Sequence, residues 1–216
     1  MTRRQNMTSR KAQLMRPRTR VRNLLVIGAV VAVLASGCTP LVWGLNTDGQ
    51  LGVGNPLLVQ ATNPIALGGP AQGDWVDLGA AIDHTCGVRS SGSLWCWGDN
   101  TYGQLGDGTT TDRLEPNRVG AASDWDFVDS GTAHTCGIRS GTLWCWGDNT
   151  FGQVGDGTTT GRLAPTQVGT DTDWIDISSG GFHTCGIREE KSSGAGSGRM
   201  YCWGENWAGQ LGDSST

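Results

Sequence analysis

The stretch HTCGVRSSGSLWCWGDNTYGQLGDGT, from His84 to Thr109, gathers His, Cys, Trp and Asp within a few turns of chain. A His beside a Cys is the pairing of a thiol nucleophile with its base, or of two zinc ligands. A glycine-rich loop with several Asp resembles a calcium loop, and a row of Trp a platform for sugar rings. The stretch is repeated, however. HTCGIRSGTLWCWGDNTFGQVGDGT begins at His134, and a looser copy begins at His183. One substrate needs one set of groups, so a catalytic constellation breaks repeat symmetry, and here the symmetry is kept. The loop lacks the alternating ligands and the distal Glu of an EF-hand, and no helix N-terminus follows it to hold a phosphate. The recurring pairs Asp74/Asp77 and Asp173/Asp176 read as turn and strand-edge residues, not as a glycosidase acid pair. The reading is therefore no catalytic residue, no metal set and no cofactor, with each His bonded to backbone inside its own repeat.

What must hold these residues is a β-structure. His recurs at 84, 134 and 183, and a Trp-Gly pair at Trp43, Trp97, Trp146 and Trp203, a period of about 50. Within each unit DWIDIS, HTCGIR and SLWCWG are short, rich in β-branched and aromatic residues, and bounded by Gly, Ser and Asp. Alternation puts His84, Cys86 and Val88 on one strand face, and Leu94 and Cys96 on one face of the next. A hairpin folded about Ser90 and Ser91 sets Cys86 opposite Cys96. The same construction pairs Cys136 with Cys145 and Cys185 with Cys202, each within disulfide reach; a buried free thiol in each unit is the alternative. Trp95 and Trp97 occupy the other face, so both faces are apolar, the pattern of a sheet covered on both sides. The Trp row then reads as packing between sheets, in preference to a sugar platform.

The sequences WGDNTYGQLGDGT, WGDNTFGQVGDGT, WGENWAGQLGD and WGLNTDGQLGVG resemble the repeat of the regulator of chromosome condensation family, over residues 42–216. The resemblance implies an all-β fold of β-propeller blades, each a four-stranded antiparallel sheet, with seven blades in a complete ring. RSSGSLW is also similar to the Asp-box (BNR) motif, although Ser91 stands where the Asp belongs. At about 50 residues per unit, the segment after residue 37 holds three to four blades, a partial ring. Its open edges and bare faces favour association; the expectation is a truncated ring, the alternative two arcs that self-associate.

Residues 1–37 carry eight basic side chains and no acid, followed by a twelve-residue apolar run from Leu24 to Ala35. A basic region, a short apolar region and small residues before a cut form a secretion signal; the run is too short to span a bilayer. ASGC before residue 39 resembles the bacterial lipobox, which implies cleavage before Cys38 and lipidation of its thiol, with residues 38–41 as anchor and linker. Met15 would give a more compact signal and is read as the start. Of seven cysteines, removal of Cys38 leaves six, two per repeat, in a compartment where disulfides persist. Thr39 lacks the Asp that favours inner-membrane retention in some bacteria, which points to the outer membrane or cell surface.

Beyond residue 37 there are eight basic residues against twenty acidic ones, a balance of −12. Such a surface repels phosphate backbones, so no nucleic acid is expected as partner. The functional expectation is a non-catalytic cell-envelope lipoprotein whose repeats bind a protein or a surface glycan. The alternative is a glycosidase-like extracellular hydrolase whose catalytic part is missing. Differences between repeats mark candidate contacts: the connections TDRLEPNRVGAASD and TGRLAPTQVGTDTD, the insertion EEKSSGAGSG, and Trp207, which stands where Thr47, Thr101 and Thr150 stand in the other copies.

Overall fold

The computed structural model describes residues 30–32, 41–67, 74–190 and 198–215. Cys38, the leader cleavage site and most of the insertion (191–197) lie outside them. Every regular element among the described residues is a strand, and the strands form four antiparallel sheets in an open arc.

The first sheet holds β1 (Val30–Ala32), β2 (Leu41–Leu45) and β3 (Gln60–Ala66). The second holds β4 (Trp75–Ala80), β5 (His84–Arg89), β6 (Leu94–Gly98) and β7 (Arg113–Arg118), in that order. The third repeats it with β8 (Trp125–Ser130), β9 (His134–Arg139), β10 (Thr142–Gly147) and β11 (Arg162–Gln167). The fourth has β12 (Trp174–Ser179), β13 (His183–Glu189) and β14 (Gly198–Gly204). Short strands joined in sequence order make up-and-down blades, and stacking them buries the two apolar faces that the sequence pattern demands.

The variable connections are partly strands, which corrects the reading of them as loops. RLEPNR and RLAPTQ form β7 and β11, the outermost strand of their blades. Their polarity and their prolines disguise them. A proline cannot donate to a ladder and is tolerated at a sheet edge, where the N–H side faces solvent.

The cores lie between blades. Cys86, Val88, Leu94, Cys96, Leu105 and Val119 of the second blade close on Trp125, Val128 and Trp146 of the third. Cys136, Ile138, Leu143, Cys145 and Val154 meet Trp174 and Ile177 in the same way. At the inner edge, backbones approach so closely that a Cβ on Gly79 would lie 2.8 Å from the Asp129 Cα. Carboxylates fasten this edge: Val128 N donates to Asp77 Oδ2 at 2.8 Å, and Ser179 N to Asp129 Oδ2 at 2.6 Å.

Candidate functional site

The cysteines are cross-linked as strand parity requires. Cys86 pairs with Cys96, Cys136 with Cys145 and Cys185 with Cys202, each at a Cα separation of 4.1 Å and directly opposed across its hairpin. No thiol of the repeats is left to act as nucleophile or ligand. Among the described residues, no three His, Cys, Asp or Glu side chains lie close enough to share a metal ion.

The histidines are placed differently from expectation. The rings of His84 and His134 bond to a hydroxyl of the next blade, not to backbone of their own. His84 Nε2 lies 2.9 Å from Thr135 Oγ1, and His134 Nε2 lies 2.9 Å from Thr184 Oγ1. Each threonine in turn donates to a glutamine carbonyl in the preceding blade's loop: Thr135 to Gln104 O at 2.8 Å and Thr184 to Gln153 O at 2.9 Å. Both rings are fully buried. Burial holds the His84 pKa down to about 3, helped by His134 nearby. Burial likewise lowers His134 to about 4, with His183 adding to the effect and Asp148 opposing it. Such rings are neutral at physiological pH and serve as hydrogen-bonding struts.

The same glutamine carbonyl takes a second donor. Trp97 Nε1 donates to Gln50 O, Trp146 Nε1 to Gln104 O and Trp203 Nε1 to Gln153 O, each at 2.9 Å. The indole fits only because a glycine lies under it. A Cβ on Gly106, whose φ is +71°, would come within 2.6 Å of Trp146 Nε1. The loop itself is braced by its asparagine: Asn100 Oδ1 accepts from Leu105 N at 3.0 Å, while Asn100 Nδ2 donates to Thr109 O and Thr111 O. Below it, burial would raise the Asp107 pKa, but hydrogen bonds from Thr109 and Arg113 outweigh it and hold the carboxyl below its usual range. The GDNTYGQLGDG block is thus a socket for the next blade's tryptophan. Sequence reasoning passed over Thr85, Thr135 and Thr184, and Gln50, Gln104 and Gln153. Their signal was present in the recurring HT and GQ dipeptides.

The other tryptophan of the hairpins in the second and third blades has another neighbour. Arg89 stacks on Trp95 at 4.3 Å and on Trp75 at 5.0 Å. Arg139 lies 5.2 Å from the Trp144 ring and 5.9 Å from that of Trp125. Such cation–π layers suit half-exposed indoles. Between the second and third blades this layer floors a cleft of about 600 Å³, lined by Arg113, Arg118, Ala121, Trp125, Arg139 and Trp144, with Pro165 at its rim. Its charges are largely spent. Arg113 binds Asp107 at 2.5 Å, Arg139 binds Asp124 at 2.6 Å, and Arg118 donates to Ala121 O at 3.2 Å. The cleft offers an indole edge, apolar carbon and backbone carbonyls, a surface for a polypeptide loop or a sugar more than for an anion. Trp207 is 73% exposed, with only its edge against Phe151 at 5.2 Å between ring centroids.

Stacked four-stranded blades locked by disulfides and by indole–carbonyl sockets define a β-propeller repeat protein. The sequence comparisons name the kind of repeat. A profile described as the regulator of chromosome condensation (RCC1) repeat matches residues 91–138 and 140–187, and a second of the same description matches 76–104 and 126–153. The chain belongs to the regulator of chromosome condensation repeat family. It is 39% identical to the ultraviolet-B receptor UVR8 of Arabidopsis thaliana over 83 residues, covering 36% of this chain and 17% of that protein. It is 33% identical to human E3 ubiquitin-protein ligase HERC2 over 103 residues, covering 43% of this chain and 2% of that protein. The fold overlays on Prp20p of Saccharomyces cerevisiae with a TM-score of 0.66 at 20% identity, covering 76% of this chain and 43% of that one. Human WBSCR16 gives 0.68 at 18% identity, covering 83% and 45%. The chain therefore spans less than half of these two solved structures, and a smaller part of these two curated relatives.

Proposed function

We propose that this chain is a non-catalytic lipoprotein of a cell envelope, tethered through Cys38, whose blades present a recognition surface to another protein. One observation carries the reading. The side chains able to do chemistry are consumed by the scaffold: the six repeat cysteines cross-link hairpins within their blades, and His84, His134 and the socketed tryptophans join blade to blade. What differs between repeats is the rim of the cleft at Arg118–Ala122, whose counterpart in the next blade is Gln167–Asp171. Rigid scaffolds with variable rims are a common way to build recognition. Prp20p binds Gsp1p and histones, which supports a protein as the class of partner ahead of a glycan. The basic leader, the apolar run and ASGC support the anchor; two or more acyl chains hold a protein on a membrane where one does not.

Two experiments test the parts separately. Cells fed a clickable fatty acid should label the wild-type chain and leave Cys38→Ala unlabelled and out of the membrane fraction; labelled Cys38→Ala rejects the anchor. A photo-crosslinking residue at Ala121 should yield one discrete protein adduct in envelope preparations, lost with Trp144→Ala. Instead, turnover of a chromogenic glycoside that vanishes when a single acidic residue is replaced would favour a hydrolase.

A further inference from the structure

Two successive blades are entered by the same connection, and one changed side chain leaves a cation half partnered. RVGAASDW (118–125) leads into β8 and QVGTDTDW (167–174) into β12. Their backbones agree. Gly120 and Gly169 have φ of +61° and +64°. Val119 N and Val168 N donate to Leu94 O and Leu143 O at 2.9 Å, and Trp125 N and Trp174 N to Gly92 O and Gly141 O at 3.1 and 3.0 Å. Ala122 therefore stands where Asp171 stands one blade later.

Two carboxylates hold the arginine of the later blade. Arg188 Nε donates to Asp173 Oδ1 at 2.8 Å, and its Nη2 donates to Asp171 Oδ1 at 2.6 Å and to Asp173 Oδ2 at 3.3 Å. Arg139, its counterpart on β9, keeps one carboxylate. Its Nε donates to Asp124 Oδ1 at 2.6 Å, and neither terminal nitrogen finds an acceptor among the described residues. The guanidinium is held in place all the same, stacked on Trp144 and Trp125, with the side chain 33% exposed in the wall of the cleft. Arg118 adds a second cation at the rim, where the next blade has Gln167. Its Nη2 reaches only the Ala121 and Ala122 carbonyls, at 3.2 and 3.5 Å.

We propose that this cleft takes an acidic segment of a protein partner, with an Asp or Glu carboxylate of that segment in the place that Asp171 fills one blade later. The carboxylate accepts from the terminal nitrogens of Arg139, and Arg118 flanks it. That occupant presupposes the reading of the cleft as a protein-recognition surface, and specifies what the partner must carry. A guanidinium fork already fixed by stacking gives a charge-assisted contact at little cost in side-chain freedom. Ala121, Trp144 and Pro165 offer apolar surface to the neighbouring side chain. A free anion lacks that apolar contact, and the balance of −12 beyond residue 37 repels it.

The test is a random-peptide display selection on the immobilised, oxidised full chain carrying Cys38→Ser. Of the enriched peptides, those that cross-link through a photo-reactive residue at Ala121 occupy the cleft. They should share an Asp or Glu beside an apolar residue, and exchange of that acid for Asn or Gln should weaken binding at least tenfold in an anisotropy titration. Ala122→Asp should weaken the acidic peptide to the same degree, because it gives Arg139 the carboxylate that Asp171 gives Arg188, and it should not lower the melting temperature. Ala122→Asn, of the same shape but uncharged, should weaken it less. In Arg139→Gln the acidic peptide and its neutral twin should bind alike, a ratio that a general loss of stability does not move. Cleft peptides without an acid, no cleft peptide at all, or a preference for the acid that survives both Ala122→Asp and Arg139→Gln overturns the proposal. The envelope adduct at Ala121 separates this failure from that of the broader reading. An adduct that persists in Ala122→Asp rejects the carboxylate and keeps the protein partner, whereas absence of any adduct rejects both.

Discussion

Lowering the pH from 7 to 5 should loosen this protein through two side chains that never reach solvent. His84 and His134 are neutral in the fold, their pKa values held near 3 and 4 by burial. In the unfolded chain an imidazole titrates near 6.5. Between pH 7 and 5 the unfolded state therefore takes up protons that the folded state refuses, and stability falls as pH falls. The loss begins near pH 6.5 and ends only when the folded-state values are passed. Integrated from pH 7 to 5, each ring contributes about 2 kcal/mol of lost stability, or about 4 kcal/mol for the pair. The raised carboxyls of Asp83 and Asp126, each driven chiefly by burial, work in the opposite direction in both proteins and so cancel in the comparison below. The assay is urea unfolding of the oxidised chain, followed by tryptophan fluorescence at pH 7, 6 and 5, beside a His84→Gln/His134→Gln variant. The variant starts less stable, but its midpoint should move with pH far less than that of the wild type. Equal pH dependence in the two proteins would refute the buried-strut assignment.

Gly106→Ala should cost at least about 2 kcal/mol, since it combines a positive φ with a clash against Trp146, whereas Gly108→Ala, with φ +82° and open space, should cost about 1 kcal/mol or less; thermal melts separate them. Thr135→Val strands both His84 Nε2 and one lone pair of Gln104 O, and unfolding should show a loss of roughly 1–3 kcal/mol. Replacing Cys136 and Cys145 together by Ala should cost about 2–4 kcal/mol and remove one peptide from the non-reducing map, with the other two bridges unchanged.

Much of this fold was legible in the residues. Period, strand parity and the paired cysteines lead from HTCGVRSSGSLWCWG to a cross-linked hairpin, and the register Cys86 opposite Cys96 is the one observed. The signature of the sockets gave the family. The outer strands escaped notice because RLEPNR and RLAPTQ have edge-strand chemistry, polar and proline-bearing, with no hydrophobic alternation to announce them. The role of His84 escaped for a different reason. Its partner Thr135 is 51 residues away, in the next repeat, and contacts between repeats leave no local pattern. Only translational symmetry shows them: a residue that bonds into the next repeat recurs at the same interval as one that bonds within its own. The cleft was hidden too, because it forms from the rim of one blade and the hairpin of the next.

The central claim is that each glutamine carbonyl seats the tryptophan of the following blade. Hydrogen exchange of the indole Nε1–H groups, resolved by NMR, addresses it directly. The signals of Trp97 and Trp146 should exchange only through unfolding, orders of magnitude more slowly than that of the exposed Trp207. Exchange of all three at similar rates would mean that the sockets are empty and that the blades are held some other way.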